Sequence, residues 1–297
     1  MRYALSVDIG GTNTRVSLIN ENYEIEERIS FLTDTEDPWP LLKRICETAA
    51  GFRKEVTGLG LSCPGPLDLL NGRVLTPPNL HGAWHYLNLE EELVQMLKIP
   101  VYLENDANLA ALAEAKLGAG RNCRVVQYLT VSTGLGAGLV IDGRIFHGAH
   151  GFANEVANTV LIPDGPCHGD LFPGALEALC SGSGIEHRAR SAQLSVKHAG
   201  EVNDLAVKGN PAAVTIMNEA KLYLANYIAG VIGFADPDVI ILGGSVALKT
   251  EGFVREIEEK TKEKVFPELR PYVNIRKAAL GDDSGLLGAA CLVFENN

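Results

Sequence analysis

The sequence predicts an α/β protein of two lobes that are built on one plan. Short apolar runs typical of strands alternate with helical segments along the whole chain. Two hairpins rich in glycine and threonine, at Asp8–Arg15 and Val131–Gly138, share the order strand, turn, strand. The chain has 297 residues, 46% of them hydrophobic, which suits two cores and excludes a disordered chain. We expect short connections and a cleft between the lobes.

The first lobe begins with a predicted hairpin, in which Tyr3–Asp8 and Arg15–Ile19 are the strands. The turn Asn105–Asp106 follows a later strand and precedes an Ala- and Leu-rich helix. The predicted elements after the hairpin are the helix Trp39–Phe52, the strand Val56–Ser62, the helix Leu89–Leu97 with Asn88 as its N-cap, the strand Pro100–Glu104 and the helix Asn108–Leu117.

After residue 120 the pattern starts again with a second hairpin. An apolar run later in this half ends in three small residues, Gly243-Gly244-Ser245. The predicted elements are the strands Val125–Val131 and Ala137–Ile141, the helix Pro211–Phe234, the strand Pro237–Leu242, and the helices Gly252–Val265 and Ser284–Phe294.

The charge balance excludes several classes of partner. Lys and Arg total 26 against 37 Asp and Glu, so the net charge is −11. Such a surface repels nucleic acid and anionic lipid, although backbone N–H groups can still bind a small anion. No apolar run approaches the ~18 residues of a membrane-spanning helix, and Asp8 interrupts any signal-peptide core. We therefore expect a cytoplasmic protein.

The first hairpin has the composition of a phosphate-binding turn. Glycines let backbone N–H groups approach phosphate oxygens, and threonine hydroxyls add donors. Asp8, at a strand end, is suited to hold Mg²⁺ through water. The alternative is an ordinary tight hairpin with a capping Asp. The candidate phosphate-binding residues here are Asp8, Gly10, Gly11, Thr12, Asn13 and Thr14.

The second hairpin and a third glycine break extend the same chemistry. Val131–Gly138 contains GxGxG, but a strand follows it, so it is not the dinucleotide-binding GxGxxG. Alone it could be a glycine-rich bend; paired with the first hairpin it indicates a two-sided phosphate clamp. The break at Ile241–Ser245 suits an adenine and ribose lying against backbone. The candidate residues are Ser132, Thr133, Gly134, Gly136, Gly243 and Gly244.

The order of these motifs resembles the ROK family of sugar kinases and repressors, within the actin–hexokinase–Hsp70 superfamily. DIGGTNTR (8–15) and STGLGAG (132–138) resemble its phosphate motifs, and DVIILGGSV (238–246) its adenosine motif. The resemblance implies a two-lobed, actin-like ATPase (ribonuclease H-like) fold with an active-site cleft between the lobes. GDDSGLLGAA (281–290) resembles the closing helix that returns to the first lobe. The implied N-terminal lobe is 1–117 with 284–297, and the C-terminal lobe is 118–283.

Three further segments, LSCPGPLD (61–68), PNL (78–80) and ENDAN (104–108), resemble the sugar-binding segments of the family. The resemblance implies that Asp106 is the catalytic base, which accepts the proton of the sugar 6-hydroxyl. The alternative for the Asn105–Asp106 turn is that it caps a helix N-terminus. The alternative for Glu155 and Glu177 is that each is an acid at the protein surface. The implied sugar-binding residues are Gly65, Asn79, Asn105, Asp106, Glu155, Asn158 and Glu177.

The chain departs from the family at a structural zinc site. Many relatives carry Glu-x-Gly-His followed by CxCGxxGCxE, and the His and three Cys bind zinc. Here Asn158 replaces the His and Ala175 the last Cys, which leaves Cys167 and His168 as candidate ligands. Because a closed zinc site needs four ligands, we predict no structural zinc. The change from His to Asn158 also weakens any inference about which sugar is bound.

The function implied is that of an ATP- and Mg²⁺-dependent hexose 6-kinase, with glucose as the default sugar. Fructose, N-acetylmannosamine and a phospho-transferable glucoside are alternatives. So is a sugar-sensing protein that has lost turnover, while a chaperone-like ATPase is disfavoured. The DNA-binding members carry an N-terminal helix-turn-helix domain, and the early position of Asp8 favours the kinase branch. The resemblance also implies a homodimer.

Overall fold

The computed structural model describes residues 1–296, which form two compact units. Unit 1 contains residues 1–116, 145–153 and the chain from 282 onward. Unit 2 contains residues 117–144 and 154–281. Residues 145–153 were expected in the second lobe; their contacts group them with unit 1, and a bond from His147 to Glu104 is one of those contacts.

The elements follow one another along the chain as the sequence pattern indicates, with additions. The strands are β1 (Tyr3–Ile9), β2 (Asn13–Asn20), β3 (Ile25–Leu32), β4 (Leu59–Cys63), β5 (Leu67–Asp68), β6 (Arg73–Val74), β7 (Val101–Asn105), β8 (Val125–Val131), β9 (Leu135–Ile141), β10 (Arg144–Ile145), β11 (Val239–Gly243) and β12 (Ile275–Lys277). The helices are α1 (Pro38–Gly51), α2 (Leu89–Leu97), α3 (Asp106–Lys116), α4 (Leu176–Cys180), α5 (Gly182–Ser191), α6 (Ala199–Val207), α7 (Pro211–Ala235), α8 (Ser245–Lys249), α9 (Phe253–Lys262) and α10 (Ser284–Asn296). Short 3₁₀ helices lie at Gly82–Trp84, Pro267–Tyr272 and Gly281–Asp283.

The sheet of unit 1 has the strand order β3-β2-β1-β4-β7. Strands β1, β2 and β3 are antiparallel neighbours, whereas β1, β4 and β7 run parallel. Every residue of β4 is buried, as expected for a central strand covered on both faces. The carboxyl ends of β1, β4 and β7 therefore meet at one edge of the sheet.

Helix α10 packs on this sheet at very short range. A Cβ on Gly60 of β4 would lie 2.1 Å from the carbonyl oxygen of Ala289. One on Gly288 of α10 would lie 2.0 Å from the carbonyl oxygen of Leu109 in α3. The C-terminal helix is therefore held between β4 and α3, in direct contact with the elements that carry the ENDAN segment.

The sheet of unit 2 repeats the plan of unit 1, with the strand order β10-β9-β8-β11-β12. Strands β8 and β9 form an antiparallel hairpin, and β8, β11 and β12 run parallel. A separate core, centred on α7 and including Leu224, Ile228 and Phe253, covers the sheet. The prediction of two lobes on one plan is confirmed, and the arrangement is that of the actin-like ATPase fold.

Two predicted helix starts need correction; Asn88 does occupy the N-cap position of α2, and only the bond from its side chain is absent. Helix α3 begins at Asp106 rather than Asn108, because Asn105 caps it. Asn88 precedes α2 but makes no side-chain cap; its Oδ1 accepts a hydrogen bond from Nε of Arg73 at 2.8 Å instead. Within residues 1–296, no helix combines the length and the apolar character that crossing a bilayer requires.

Candidate active site

Strand register gathers the polar residues of unit 1 at one edge of its sheet. Asp8 of β1 pairs with Ser62 of β4, and Ser62 pairs with Glu104 of β7. One position further along, Cys63 pairs with Asn105. Strand ends in parallel sheets of this kind are the usual location of ligand sites.

The candidate base Asp106 is the first residue of α3 and is exposed. Asn105 caps the helix: its Oδ1 accepts hydrogen bonds from N–H of Ala107 at 2.9 Å and of Asn108 at 3.4 Å. The alternative reading of this turn as an N-cap is thus correct for Asn105, and it leaves Asp106 facing solvent. The positive end of the helix dipole favours an ionised carboxylate there.

The thiol of Cys63 shows that the two carboxylates of interest lie close together. Cys63 is fully buried, and its pKa is raised by burial first, then by the charges of Asp106 and Asp8. Both carboxylates must be near this sulfur for their charges to act on it. The structure therefore brings the candidate base and the candidate magnesium residue into one neighbourhood.

Asp8 is held by an arginine from the adjacent strand. Its Oδ2 accepts from Nη2 of Arg15 at 2.5 Å and from Nε at 3.1 Å. Nη1 of Arg15 donates to the carbonyl oxygen of Asp282 at 2.7 Å. The other oxygen, Oδ1, faces Gly285 of α10, where a Cβ would lie 3.6 Å away. Within residues 1–296 no arginine contact engages this oxygen, so Asp8 fits a water-mediated contact with Mg²⁺ through it.

The first phosphate turn contacts the PNL segment. A Cβ on Gly11 would lie 2.9 Å from Cβ of Asn79, so the turn and this candidate sugar residue are neighbours. Thr12 and Asn13 are exposed at the tip. Thr14 is fully buried, and its hydroxyl shares a 2.9 Å hydrogen bond with that of Thr33, so it contributes to the base of the turn.

The remaining candidates of unit 1 lie on loops around these strand ends. Gly10 closes the first turn by donating its N–H to the carbonyl oxygen of Asn13 at 3.0 Å. Gly65 follows β4, and its peptide bond to Pro66 is cis. Asn79 is exposed.

In unit 2, the second phosphate turn is tied to the start of α5. The N–H groups of Gly182 and Ser183 donate to the carbonyl oxygens of Ser132 and Thr133, at 2.7 and 3.0 Å. The hydroxyl of Ser183 also donates to the Thr133 carbonyl at 2.8 Å. The N-terminus of α5 thus fixes the turn from one side, while the side chain of Thr133 stays exposed.

A cavity of about 460 Å³ opens beside this turn, entirely within unit 2. Its wall includes Ser132, Thr133 and, from the start of α8, Ser245. The Ser132 and Ser245 hydroxyls are 3.2 Å apart, so the second phosphate motif and the adenosine motif meet here. Further polar residues of the wall come from α5, α6, α8 and their ends and were not predicted as functional from the sequence: Ser183, Glu186, His198, Asn203, Asp204, Lys249 and Thr250. A helix-opening SGSG at 181–184 was the available signal for the first of them.

Gly243 and Gly244 serve close packing rather than the cavity wall. A Cβ on Gly243 would lie 2.2 Å from the hydroxyl of Tyr128. Gly244 has φ of +84°, and a Cβ on it would lie 2.5 Å from the carbonyl oxygen of Val131. These glycines let the end of β11 lie against β8, which brings Ser245 to the cavity.

The candidate sugar-binding side chains of unit 2 lie within the segment 154–177. Glu177 is half-buried in α4, and its Oε2 accepts from N–H of Leu135 at 2.7 Å, beside the second turn. Glu155 lies at the surface, but partial burial of its carboxyl raises its pKa. Asn158 uses its Oδ1 to accept from N–H of Phe172 at 2.7 Å. Gly134 and Gly136 flank Leu135 in the turn and the strand after it.

The loop that would hold a structural zinc does not offer a matching donor set. Asn158 bonds the loop backbone at Phe172, and Ala175 has no donor atom. Nε2 of His168 lies 2.9 Å from the hydroxyl of Ser183 and is engaged by that contact. Cys167 is exposed. The loop offers two sulfur or imidazole ligands, whereas a structural zinc ion needs four. The loop therefore does not fit zinc.

The sequence model of the ROK family matches residues 4–296 of this chain. The chain belongs to the ROK family. The glucokinase of Thermotoga maritima is 31% identical, covering 98% of this chain and 97% of that one. The N-acetylmannosamine kinase of Salmonella typhi is 31% identical, with 97% of both chains covered. The structure of a ROK-family glucokinase from Streptomyces griseus in complex with glucose and AMPPNP has a TM-score of 0.81, 28% identity and 99% coverage of both chains.

Proposed function

We propose that this ROK protein is an ATP-dependent sugar kinase that phosphorylates the 6-hydroxyl of a hexose, with glucose as the first candidate. The observation that carries the proposal is the placement of Asp106. Its carboxylate is exposed at the first turn of α3, beside the strand ends that carry Asp8. The relatives named above, which match nearly the whole chain, are sugar kinases.

In this reaction Asp106 accepts the proton of the sugar hydroxyl as the oxygen attacks the γ-phosphorus of ATP. The bond between the γ-phosphorus and the bridging oxygen breaks, and ADP leaves with that oxygen. Phosphoryl transfer needs positioning and charge neutralisation more than a strong base, so an exposed carboxylate is sufficient.

The nucleotide is proposed to bind in the cavity of unit 2. The exposed Thr133 and the hydroxyls of Ser132 and Ser245 offer hydrogen bonds to phosphate and ribose oxygens. The exposed turn of unit 1 around Thr12 is a separate candidate for binding phosphate through backbone N–H groups. Mg²⁺, when bound, neutralises phosphate charge, and Asp8 would hold it through water with its Oδ1.

The sugar is proposed to be bound by side chains that offer both donors and acceptors, because hydroxyls line every edge of a pyranose. The residues proposed for this role are Gly65, Asn79, Asn105, Asp106, Glu155, Asn158 and Glu177. N-acetylmannosamine is the second candidate, since its kinase from S. typhi is as similar to this chain as the T. maritima glucokinase. The homodimer and the cytoplasmic location stay predictions from the sequence.

The test is a coupled assay of ADP release with Mg-ATP across glucose, fructose, mannose, N-acetylmannosamine and N-acetylglucosamine. We expect turnover on one or two of them, and a fall of about 10² or more in Asp106→Asn. The matched control is Asp142→Asn, since Asp142 is an exposed acid whose ion pair with Arg124 spans 3.8 Å. Asp142→Asn keeps full activity.

Two results would contradict the proposal. Sugar binding with no ADP release would favour the sugar-sensing alternative. Turnover that survives in Asp106→Asn would remove Asp106 from the role of base while leaving the kinase assignment intact.

A further inference from the structure

A buried carboxylate lies directly before the candidate base and has a histidine partner from a different part of the chain. The Glu104 side chain is 3% exposed, and its Oε2 lies 2.6 Å from Nε2 of His147. His147 belongs to the segment 145–153, which groups with unit 1 although the residues before and after it group with unit 2. Neither residue was singled out by the sequence analysis as functional.

The other oxygen of Glu104 ties the end of β7 to the first turn of α3. Oε1 accepts from the N–H of Asn105 at 2.8 Å and from Nδ2 of Asn108 at 2.9 Å. One carboxylate thus bonds both sides of the junction from which Asp106 projects. Such a bond network limits the movement of the backbone on which the base is mounted.

The side-chain amide of Asn108 donates to Glu104, and its own oxygen has no hydrogen-bond partner among residues 1–296. Asn108 is 5% exposed, and within residues 1–296 its Oδ1 is buried without a hydrogen-bond partner. Leaving a buried amide oxygen unpaired carries an energetic cost. The amide is therefore oriented to donate to Glu104, at the expense of its own oxygen.

We propose that His147 and Glu104 are a positioning pair: His147 fixes the Glu104 carboxylate, and that carboxylate fixes the Asn105–Asn108 turn that presents Asp106. The inference rests on the proposed function, because it assigns these residues to the kinase reaction. A buried carboxylate that loses its partner must recruit water or move, since an unpaired buried charge is costly. Either response disturbs the bonds to Asn105 and Asn108.

The surroundings of the pair fit a charged imidazolium. The two residues line a cavity of about 230 Å³ whose other titratable groups are Glu90 of α2 and Tyr102 of β7. The hydrogen bond to Glu104 raises the pKa of His147, against the opposing effect of partial burial. The His147 side chain is 42% exposed, so its ring exchanges protons with solvent.

The test compares steady-state kinetics in three variants and histidine titration in a fourth. We expect His147→Ala to lower kcat about tenfold, because small misplacements of a catalytic group can cost up to about 10². KM for ATP changes less than about twofold, since the pair lies in unit 1 and the nucleotide is proposed to bind in the cavity of unit 2. His147→Gln retains a donor for Glu104 and restores most of kcat. The matched control is His150→Ala, an exposed histidine of the same segment, which keeps full activity.

NMR titration of the His147 ring supplies a readout that does not depend on turnover. In the wild type its pKa lies above the ordinary value of about 6.5, and in Glu104→Gln it returns towards that value. Normal kcat in His147→Ala, or an equal loss in His147→Ala and His147→Gln, would overturn the positioning role. An unchanged titration in Glu104→Gln would overturn the pair itself. A wild type without sugar-dependent ADP release would instead overturn the proposed function, and with it this role.

Discussion

Oε2 of Glu177 accepts the N–H of Leu135 at 2.7 Å, so the carboxylate proposed to bind sugar also anchors the second phosphate turn. Gly134 completes the contact, because a Cβ there would lie 2.9 Å from the same oxygen. Bonds between a carboxylate and a backbone N–H are among the stronger hydrogen bonds in proteins. Glu177 therefore holds the Gly134–Leu135 side of the turn, while the start of α5 holds Ser132 and Thr133.

This dual contact predicts different effects for two substitutions of Glu177. Glu177→Gln keeps an oxygen for Leu135 but loses the charge that strengthens bonds to sugar hydroxyls, so we expect KM for sugar to rise about tenfold with KM for ATP little changed. Glu177→Ala also frees the turn, so both KM values rise. Steady-state kinetics in both substrates distinguishes them, with the exposed Glu259→Gln on α9 as the control. Equal effects of the two variants on KM for ATP would count against an anchoring role.

Local patterns were sufficient to predict the hairpins and the strands that lead to the site. Glycine turns between apolar runs identified both hairpins, and the position of Asp106 after a strand pointed to a sheet edge. These features depend on residues that are close together in sequence, so a sequence pattern can predict them.

The features that were missed depend on contacts between distant segments. Asn203 and Lys249 line the cavity of unit 2 from α6 and α8, short helices with little periodicity of their own. The pair of Glu104 and His147 joins segments that are 43 residues apart in sequence. Asn158 was assigned to sugar from a resemblance, and its oxygen is engaged by Phe172, a contact that no local pattern could indicate.

The glycine at the end of β11 predicts a large loss of stability on substitution. Gly244→Ala would force a Cβ to within 2.5 Å of the Val131 carbonyl at a φ of +84°. We expect the free energy of unfolding to fall by more than about 1 kcal/mol, measured by urea denaturation. The matched control is Gly230→Ala, at an exposed position in the middle of α7. An added Cβ there would have no atom of the described residues within 4 Å apart from those of its own helix. That variant gains about 0.4–1 kcal/mol, because alanine restricts the unfolded chain and favours the helix. Similar changes in both variants would contradict the packing argument.

Because the 158–177 loop lacks the donors for a zinc site, we predict that a zinc chelator does not affect the protein's stability or its affinity for sugar. Treatment with a zinc chelator, followed by return of Mg²⁺, leaves the Tm and KM for sugar unchanged. Cys167→Ser is expected to be neutral, since this exposed thiol lacks the full set of four ligands that a closed zinc site needs. His168→Ala removes the 2.9 Å contact to Ser183, which bonds Thr133, so KM for ATP rises a few-fold. A lower Tm after chelation, or in Cys167→Ser, would show that the loop holds a metal after all.

The ion pair at the candidate base predicts a pH-dependent stability. The pKa of His147 is raised in the folded protein, chiefly by its hydrogen bond to Glu104, above the value of about 6.5 in the unfolded chain. The folded state therefore binds the proton more tightly than the unfolded state does. The stabilisation is fully present below about pH 6.5 and is lost as the pH rises through the folded pKa of His147. In His147→Gln the group does not titrate, so the difference in unfolding free energy between wild type and variant should shrink across this interval. Urea denaturation at several pH values from about 6 to 9 measures that difference. A difference that stays constant, or grows with pH, would mean that His147 does not carry its charge against Glu104 in the folded protein.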